Sequence, residues 1–331
     1  MSVFTPVNSL TFRIKYAMIV YVVMKTTYND TSVKKHFYAM EMRTCEGVWR
    51  EIMSYKIIVD SCGELTKEMK ASGKFETASL EIDVNGHHMV DDDTFDQSLF
   101  LKYVKESPEC PKSSCPSPKR YMEGYCCEAD RVYAVTLSAE LSGSYNSAVL
   151  GKNLYTEEYG EKDIYVFNSR SASIGETLIA LKIQECEEQG LSFAETVRRV
   201  EEYIEGQNTY FVLETLETLR KNGRLTGLKA VMATALNIKP VMGATPEGTI
   251  CQLGQARGVK KALVKMGEHV IADVKNSKEK ILAISHCNCR ERAESVKEML
   301  KSKADFKNII ILDTAGISSM YAADGGIIVV V

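Results

Sequence analysis

The sequence is poor in the groups that mark several common functions. Its five histidines are too scattered to complete a zinc site with the cysteines. None of its ten cysteines forms a CxxC pair, and the closest groupings are Cys126-Cys127 and Cys287-Asn288-Cys289. These read as reduced thiols of a cytoplasmic protein, with no metal and no cofactor expected. There is no basic block, and a net charge of -3 with a pI near 6.1 argues against a nucleic-acid partner. No apolar run reaches the roughly 18 residues of a membrane span, so stable membrane insertion is not expected. The chain has no GxGxxG, no P-loop and no GxSxG elbow, which takes away the usual signatures of dinucleotide, nucleotide and serine-hydrolase chemistry. It also lacks internal repeats and low-complexity linkers.

Residues 1–53 differ in character from the rest. Ala17–Met24 is apolar after Arg13 and Lys15, in the manner of a signal peptide, yet it is short and no small-residue cleavage site follows. An alternative comes from the codons behind Trp49-Arg50-Glu51. With AGG for Arg50 they spell a bacterial ribosome-binding sequence just ahead of Met53. The expectation is that Met53 is the natural start and the preceding residues are translated leader. An Arg50 codon of the CGN type would remove its main support.

What is present is a recurring unit. Val132–Leu137 is an uncharged run of strong strand formers, followed by the serine- and glycine-rich Ser138–Ser144 and a helix from Tyr145. Lys56–Asp60 leads into Asp60-Ser61-Cys62-Gly63 and a helical stretch, and Lys162–Phe167 leads into Asn168–Gly175 and another helix. Three strands that each exit into a Ser/Gly loop and a helix predict a parallel α/β domain with one functional edge. Unpaired N–H groups and the helix dipole at such an edge favour an anion. The loop at Ser138, Ser142 and Ser144 contains no Lys, Arg or His, so it suits a small anionic headgroup held by neutral donors.

Other stretches supply further expectations. Ala78–Val84 alternates as one strand, with a turn at Asn85-Gly86. Asp91-Asp92-Asp93 precedes a helix over Phe95–Val104, and Asp93 is expected to cap it, with its neighbours solvated, in preference to a cation site. Four prolines lie between Pro108 and Pro118, ruling out helix and central strand. Ser117-Pro118 there has the form of an N-cap followed by proline at the first helical position. Ser113 and Ser114 therefore sit on a stiff loop ahead of a helix, a second candidate headgroup site.

A second α/β half with a mixed sheet follows. Its expected opening is two helices, Glu176–Gln189 and one begun by the capping box Ser192…Glu195. Strands at Tyr210–Leu213, Asn237–Met242, Ile250–Leu253, Lys280–Ser285 and Asn308–Leu312 and the terminal Gly325–Val331 make its sheet, with helices at Ala230–Leu236 and Arg290–Lys301. The chain thus divides into the extension 1–53 and a domain over 54–331, the latter split into 54–172 and 173–331.

Taken together these motifs resemble the DegV family. The matching stretches are Val59–Gly63, Pro111–Pro118, Leu141–Ala148, Leu213–Arg224, Leu236–Pro240 and the terminal Gly325-Gly326 strand, spanning Tyr55–Val331. The resemblance implies a two-domain α/β protein, not itself an enzyme, that buries one long-chain fatty acid between its domains. It implies that Ser113 and Ser142, with the Gly143 N–H, hold the carboxylate, while Ser114 on the proline-serine loop and Ser61 at the first strand exit stay candidate ligands from the reading of those loops. Some members present the acid to a separate ATP-dependent fatty-acid kinase, and the arginine matching Arg224 is associated with that partner interface. Where the family often has Thr and Gln, this chain has Ser113 and Cys115. Its run Ala315–Gly326 also lacks the histidine common in members of the kinase system, leaving Ser318 or Ser319 to supply a hydroxyl.

Long acyl chains gain roughly 0.8 kcal/mol per CH₂ removed from water, so the headgroup needs only orienting donors. A small phosphorylated ligand on the same strand exits is the alternative, and a serine hydrolase a further one. An apolar cleft favours the lipid, and a polar cleft the phosphate. His87, His88, His269 and His286 show no paired acidic context along the sequence, which leaves the hydrolase without a base. The Met232–Leu236 helix is a candidate for tail lining.

Overall fold

The computed structural model describes residues 54–225 and 237–331. The expected leader and the expected helix at Ala230–Leu236, with its tail-lining candidates, lie outside the described residues.

The chain begins with strand β1 (Tyr55–Asp60), helix α1 (Lys67–Ala71) and strand β2 (Phe75–Ala78). Strands β3 (Glu81–Val84) and β4 (His87–Val90), helix α2 (Gln97–Glu106) and strand β5 (Lys112–Ser114) follow. Then come α3 (Pro118–Tyr125), β6 (Arg131–Thr136), α4 (Ser144–Tyr159), β7 (Asp163–Asn168), α5 (Ile174–Glu188) and α6 (Phe193–Glu205). The remaining elements are β8 (Thr209–Val212), α7 (Glu217–Lys221), β9 (Ile238–Ala244), β10 (Ile250–Arg257) and α8 (Val259–Asp273). The last five are β11 (Ile281–His286), α9 (Arg290–Lys301), β12 (Asn308–Asp313), α10 (Gly316–Ala322) and β13 (Ile327–Val330).

Three sheets result. The first is parallel throughout, in the order β2-β1-β6-β7, with Val59 opposite Val135 and Thr136 opposite Asn168. Its three Ser/Gly loops consequently leave from one edge, as the recurring unit predicts. From β1 the chain moves outward to β2, and from β6 it moves the other way to β7, so the gap between β1 and β6 is the topological switch point. Alternation along these strands feeds two cores. Ile58, Ala134 and Ile164 pack with Tyr121, Tyr125 and Ala148 of α3 and α4 on one face. Ile57, Val59, Tyr133 and Val135 pack on the other with Ile179 and Ile183 of α5 and Val200 and Ile204 of α6.

The second sheet is mixed, in the order β10-β9-β8-β13-β11-β12. One face is covered by α8 and α9 through Ala262, Met266, Val270, Ala293, Val296 and Leu300. On the other, Ala283 and Val330 meet Ile174 and Leu178 of α5. The two helices expected to open the second half thus both pack on the first sheet, and α5 touches both sheets.

The small antiparallel sheet β4-β3-β5 corrects one expectation. Ala78–Val84 is two strands in different sheets, because the Leu80 N–H is taken by the Ser61 hydroxyl and its carbonyl by the Asp91 N–H. A second correction concerns the aspartates. Asp96, not Asp93, caps α2 by accepting the Leu99 N–H. Asp91 is buried rather than solvated, and it accepts the N–H groups of Gly316 and Ile317 at 2.6 and 2.8 Å, the orphan donors of α10. Ser117 caps α3 by accepting the Arg120 N–H, with Pro118 in the first turn, as expected. Helix α8, buried through Ala262, Leu263, Met266 and Val270, has no counterpart among the expectations.

Candidate functional site

A cavity of about 750 Å³, counting its open mouth, lies where the loops leaving the first sheet meet the second sheet and α10. Cys62, Leu137, Leu141 and Ala172 come from the first side, Phe211, Leu213, Ala244 and Ile328 from the second sheet, and Ile317 and Tyr321 from α10.

Hydroxyl groups line the walls, but their polar atoms are engaged within them. Ser171 bonds Thr209 at 2.6 Å, Ser318 donates to the Cys62 carbonyl at 2.8 Å, and Thr249 faces Thr245 at 2.8 Å. Ser173 donates to the Glu64 carboxylate at 2.8 Å and meets Ser285 at 2.8 Å. Glu64 is fully buried, and burial pushes its carboxyl up to about 7 against the lowering effect of these hydroxyls. What remains facing the space is aliphatic and aromatic carbon. The two charged residues on the lining are Arg170 and Arg224.

At the Leu141 and Arg224 end stands the N-terminus of α4. The Arg224 Nε donates to the Leu141 carbonyl at 3.1 Å, and its Nη1 donates to the Asn222 carbonyl. The neighbouring Ser142 Oγ accepts the Ser144 N–H at 3.2 Å, so its own hydrogen is free to point outward. Gly143 begins α4, is exposed, and has no acceptor for its N–H among the described residues. A Cβ at Gly143 would stand 3.3 Å from the Cys115 sulfur, and Cys115 lies 3.7 Å from the Ser147 hydroxyl. The proline-serine segment and the Leu141–Ser144 loop therefore meet through Cys115.

The residues expected at the site fall in different surroundings. Ser113 is half-buried on β5, opposite Ile82. Ser114 is exposed on the same strand, with Glu81 as a distant acceptor at 3.4 Å. Ser61 is buried, its Oγ accepting the Leu80 N–H, and none of Ser61, Ser113, Ser114, Ser142 and Gly143 is among the residues that line the cavity. Of the serines offered in place of the absent histidine, Ser318 lines the cavity, whereas Ser319 is buried against Thr314 and Gln97. His286 has Asp313 at 3.5 Å, an acidic neighbour not foreseen from the sequence. Its Nδ1 accepts the Cys289 N–H at 3.4 Å, and no serine hydroxyl bonds it among the described residues.

Behind the α4 terminus lies a polar cluster that sequence reasoning missed. Asp60, the last residue of β1, is fully buried. Its Oδ1 accepts the Cys62 N–H at 3.1 Å, and its Oδ2 accepts the Leu137 N–H at 2.9 Å and the Ser144 hydroxyl at 2.6 Å. Burial raises its carboxyl and these bonds oppose the rise. A charged residue ending an otherwise apolar strand was the available signal, since it must find donors or be neutral. Arg170, on the third strand exit, was within a loop already singled out, but nothing along the sequence distinguishes it from a solvated charge.

The comparisons with known proteins bear on this arrangement. The model of a family described as uncharacterised DegV proteins matches residues 54–331. A DegV domain-containing protein of Streptococcus gordonii is 33% identical over 278 residues, covering 83% of this chain and 98% of its own. Among solved structures, a DegV family protein from Ruminococcus gnavus ATCC 29149, refined with vaccenic acid, is 65% identical with a TM-score of 0.83. The match covers 84% of this chain and all (100%) of that one. The Streptococcus pneumoniae Fatty Acid Kinase (Fak) B3 protein loaded with linoleic acid is 31% identical with a TM-score of 0.74, over 84% of this chain and 99% of that one.

Proposed function

The chain belongs to the DegV family, and from that premise we propose that it buries one long-chain fatty acid in the cavity between its two main sheets. The observation that carries this reading is the wall itself, where serine and threonine hydroxyls are spent on one another and on Glu64, leaving carbon to face the space. A phosphorylated ligand would need donors along that wall. Acyl carbon needs none and gains roughly 0.8 kcal/mol for each methylene buried. The vaccenic and linoleic acids named for two similar structures support the same assignment.

In this proposal the carboxylate lies at the start of α4. The Ser142 hydroxyl and Gly143 N–H are its donors, with Ser113 and Ser114 on the facing strand and Ser61 behind. The positive end of the helix favours the anion there. The subdivision of the domain belongs to the proposal too, with the acid between the part built on the parallel sheet and the part built on the mixed one. Presentation of the acid to a separate kinase subunit in the cytoplasm is part of the proposal, supported for the kinase by likeness to the pneumococcal protein, and Arg224, on the cavity lining, is assigned to that interface.

Native and denaturing mass spectrometry of the purified protein, with Ser142→Ala alongside, tests the assignment. A mass excess that resolves into a long-chain acid and weakens in the variant is expected. Loss of one charge-assisted bond of about 1.5–3 kcal/mol corresponds to a tenfold to hundredfold weaker affinity, approximately. An apo mass unchanged after incubation with fatty acids would sink the reading. For Arg224→Ala the expectation is retained lipid and lost phosphorylation in the presence of a kinase, and loss of lipid would move Arg224 into the binding site.

A further inference from the structure

Glu176, in the first turn of α5, is fully buried, and neither of its carboxylate oxygens has a hydrogen-bond partner among the described residues. A carboxyl group in that position requires an explanation. One oxygen of Glu176, one of Asp60 and the Cys62 sulfur lie within 4.8 Å of one another. The fit is close, since a Cβ on Gly63 would stand 2.8 Å from the Glu176 Cβ. The ionisable groups around the pair are Cys62, Glu64 and Tyr121, and no cation figures among those that act on it most strongly. Two ionised carboxylates side by side without a counter-charge are untenable in such surroundings.

The hydrogen-bond inventory points to one solution. Asp60 offers four acceptor sites, and three are used by Cys62, Leu137 and Ser144. The Cys62 sulfur accepts the Ser173 N–H at 3.4 Å and lies 3.8 Å from Ser318 Oγ, whose own hydrogen goes to the Cys62 carbonyl, so the Cys62 S–H has its acceptor there and leaves Glu176 unserved. A single proton on Glu176 completes the set. A Glu176 O–H can fill the fourth site of Asp60, whose carboxyl lies within 4.8 Å of it.

Asp60 in turn governs the headgroup loop from both ends. Leu137 precedes the Ser138–Gly143 loop and Ser144 follows it, and both donate to the same Asp60 oxygen. With its hydrogen committed to Asp60, Ser144 Oγ accepts from the Tyr121 hydroxyl at 2.7 Å. The Ser144 N–H engages Ser142 Oγ, which turns the Ser142 hydrogen toward a ligand. We propose that Asp60 is the positioning residue of the headgroup loop and that Glu176 completes it as a neutral acid, the two carboxyls holding one proton between them. The positioning half rests on the fatty-acid reading, whereas the proton half does not.

Two measurements separate these parts. Infrared difference spectra at neutral pH between wild type and Glu176→Gln should show the loss of one protonated-carboxyl C=O stretch, any band of Glu64 being common to both proteins and cancelling. Affinity for [1-¹³C]oleate, with the carboxyl resonance of the bound acid, reports on positioning. Asp60→Asn should weaken binding by about tenfold or more, as expected for loss of a charged hydrogen-bond hub, and shift the carboxyl resonance toward its value in water. Glu176→Ala should weaken binding, and Glu176→Gln, which keeps a donor to Asp60, should restore it. Should Asp60→Asn fail to fold, Ser144→Ala cuts the same link with the charge kept and should move the same resonance.

Wild-type affinity and an unshifted resonance in both Asp60→Asn and Ser144→Ala would overturn the positioning role. The proton would be overturned by identical protonated-carboxyl bands in wild type and Glu176→Gln, or by a stoichiometric divalent cation in the purified protein that is lost in Glu176→Gln. If wild type takes up no oleate, the fatty-acid reading fails while the infrared result still stands.

Discussion

Replacing Glu64 by glutamine should stabilise the protein at high pH and leave it nearly unchanged at low pH. Glu64 is fully buried beside Ser173, and burial raises its carboxyl to about 7 from an ordinary value of 4.5. Below pH 4.5 both folded and unfolded chains hold the proton and the group has no effect on stability. As pH rises from 4.5 to 7 the unfolded chain ionises first, so stability falls. Above the folded value the loss is complete. A shift of this size at about 1.4 kcal/mol per pKa unit is worth roughly 3 kcal/mol. Glutamine is isosteric, accepts the Ser173 hydroxyl and never ionises. The gain of Glu64→Gln over wild type should therefore grow from near zero at pH 4.5 to as much as about 3 kcal/mol at pH 8. Urea denaturation of lipid-free protein across that range, compared at equal m-value, measures it. A constant difference between the two proteins, or a variant that weakens as pH rises, would refute the reasoning.

Two further substitutions test other parts of the structure. Asp91→Ala removes the acceptor for the first N–H groups of α10 and should cost about 1–3 kcal/mol, read as a lower urea midpoint, whereas no change would mean that water replaces the cap. Ala244→Phe, on the cavity wall, should lower affinity for oleate far more than for decanoate in titration calorimetry, and equal losses would place the acyl chain elsewhere.

Much of the parallel half is legible along the chain because its signals are local. Runs of β-formers ending in Asp60, Leu137 and Phe167, each followed by Ser/Gly and then a helix, leave few alternatives. The division of Ala78–Val84 is illegible for the opposite reason. Its alternation satisfies one strand, and only the distant claims of Ser61 and Asp91 on Leu80 break it. Likewise, three adjacent aspartates suggest a cap at Asp93, but the helix begins at Gln97, so Asp96 takes the Leu99 N–H while Asp91 serves the start of α10. The Ser138–Ser144 loop was visible as a serine- and glycine-rich strand exit. The cavity wall was not, since it takes residues from Cys62 to Ile328, and an apolar residue facing a cavity looks the same in sequence as one facing a core.

Helix α5 contributes Ile179 and Ile183 to the core of the parallel sheet and Ile174 and Leu178 to contacts with Ala283 and Val330 of the mixed one. A helix held on both sides cannot serve as a hinge. Swinging the halves apart would pull Ile174 and Leu178 out of contact and wet them, at about 1.5–3 kcal/mol for each side chain exposed. Traffic into and out of the cavity is therefore cheaper through its open side than by parting the two sheets. The residence time of a bound molecule would then be set at that opening, and a cross-link between α5 and β11 should leave it unchanged.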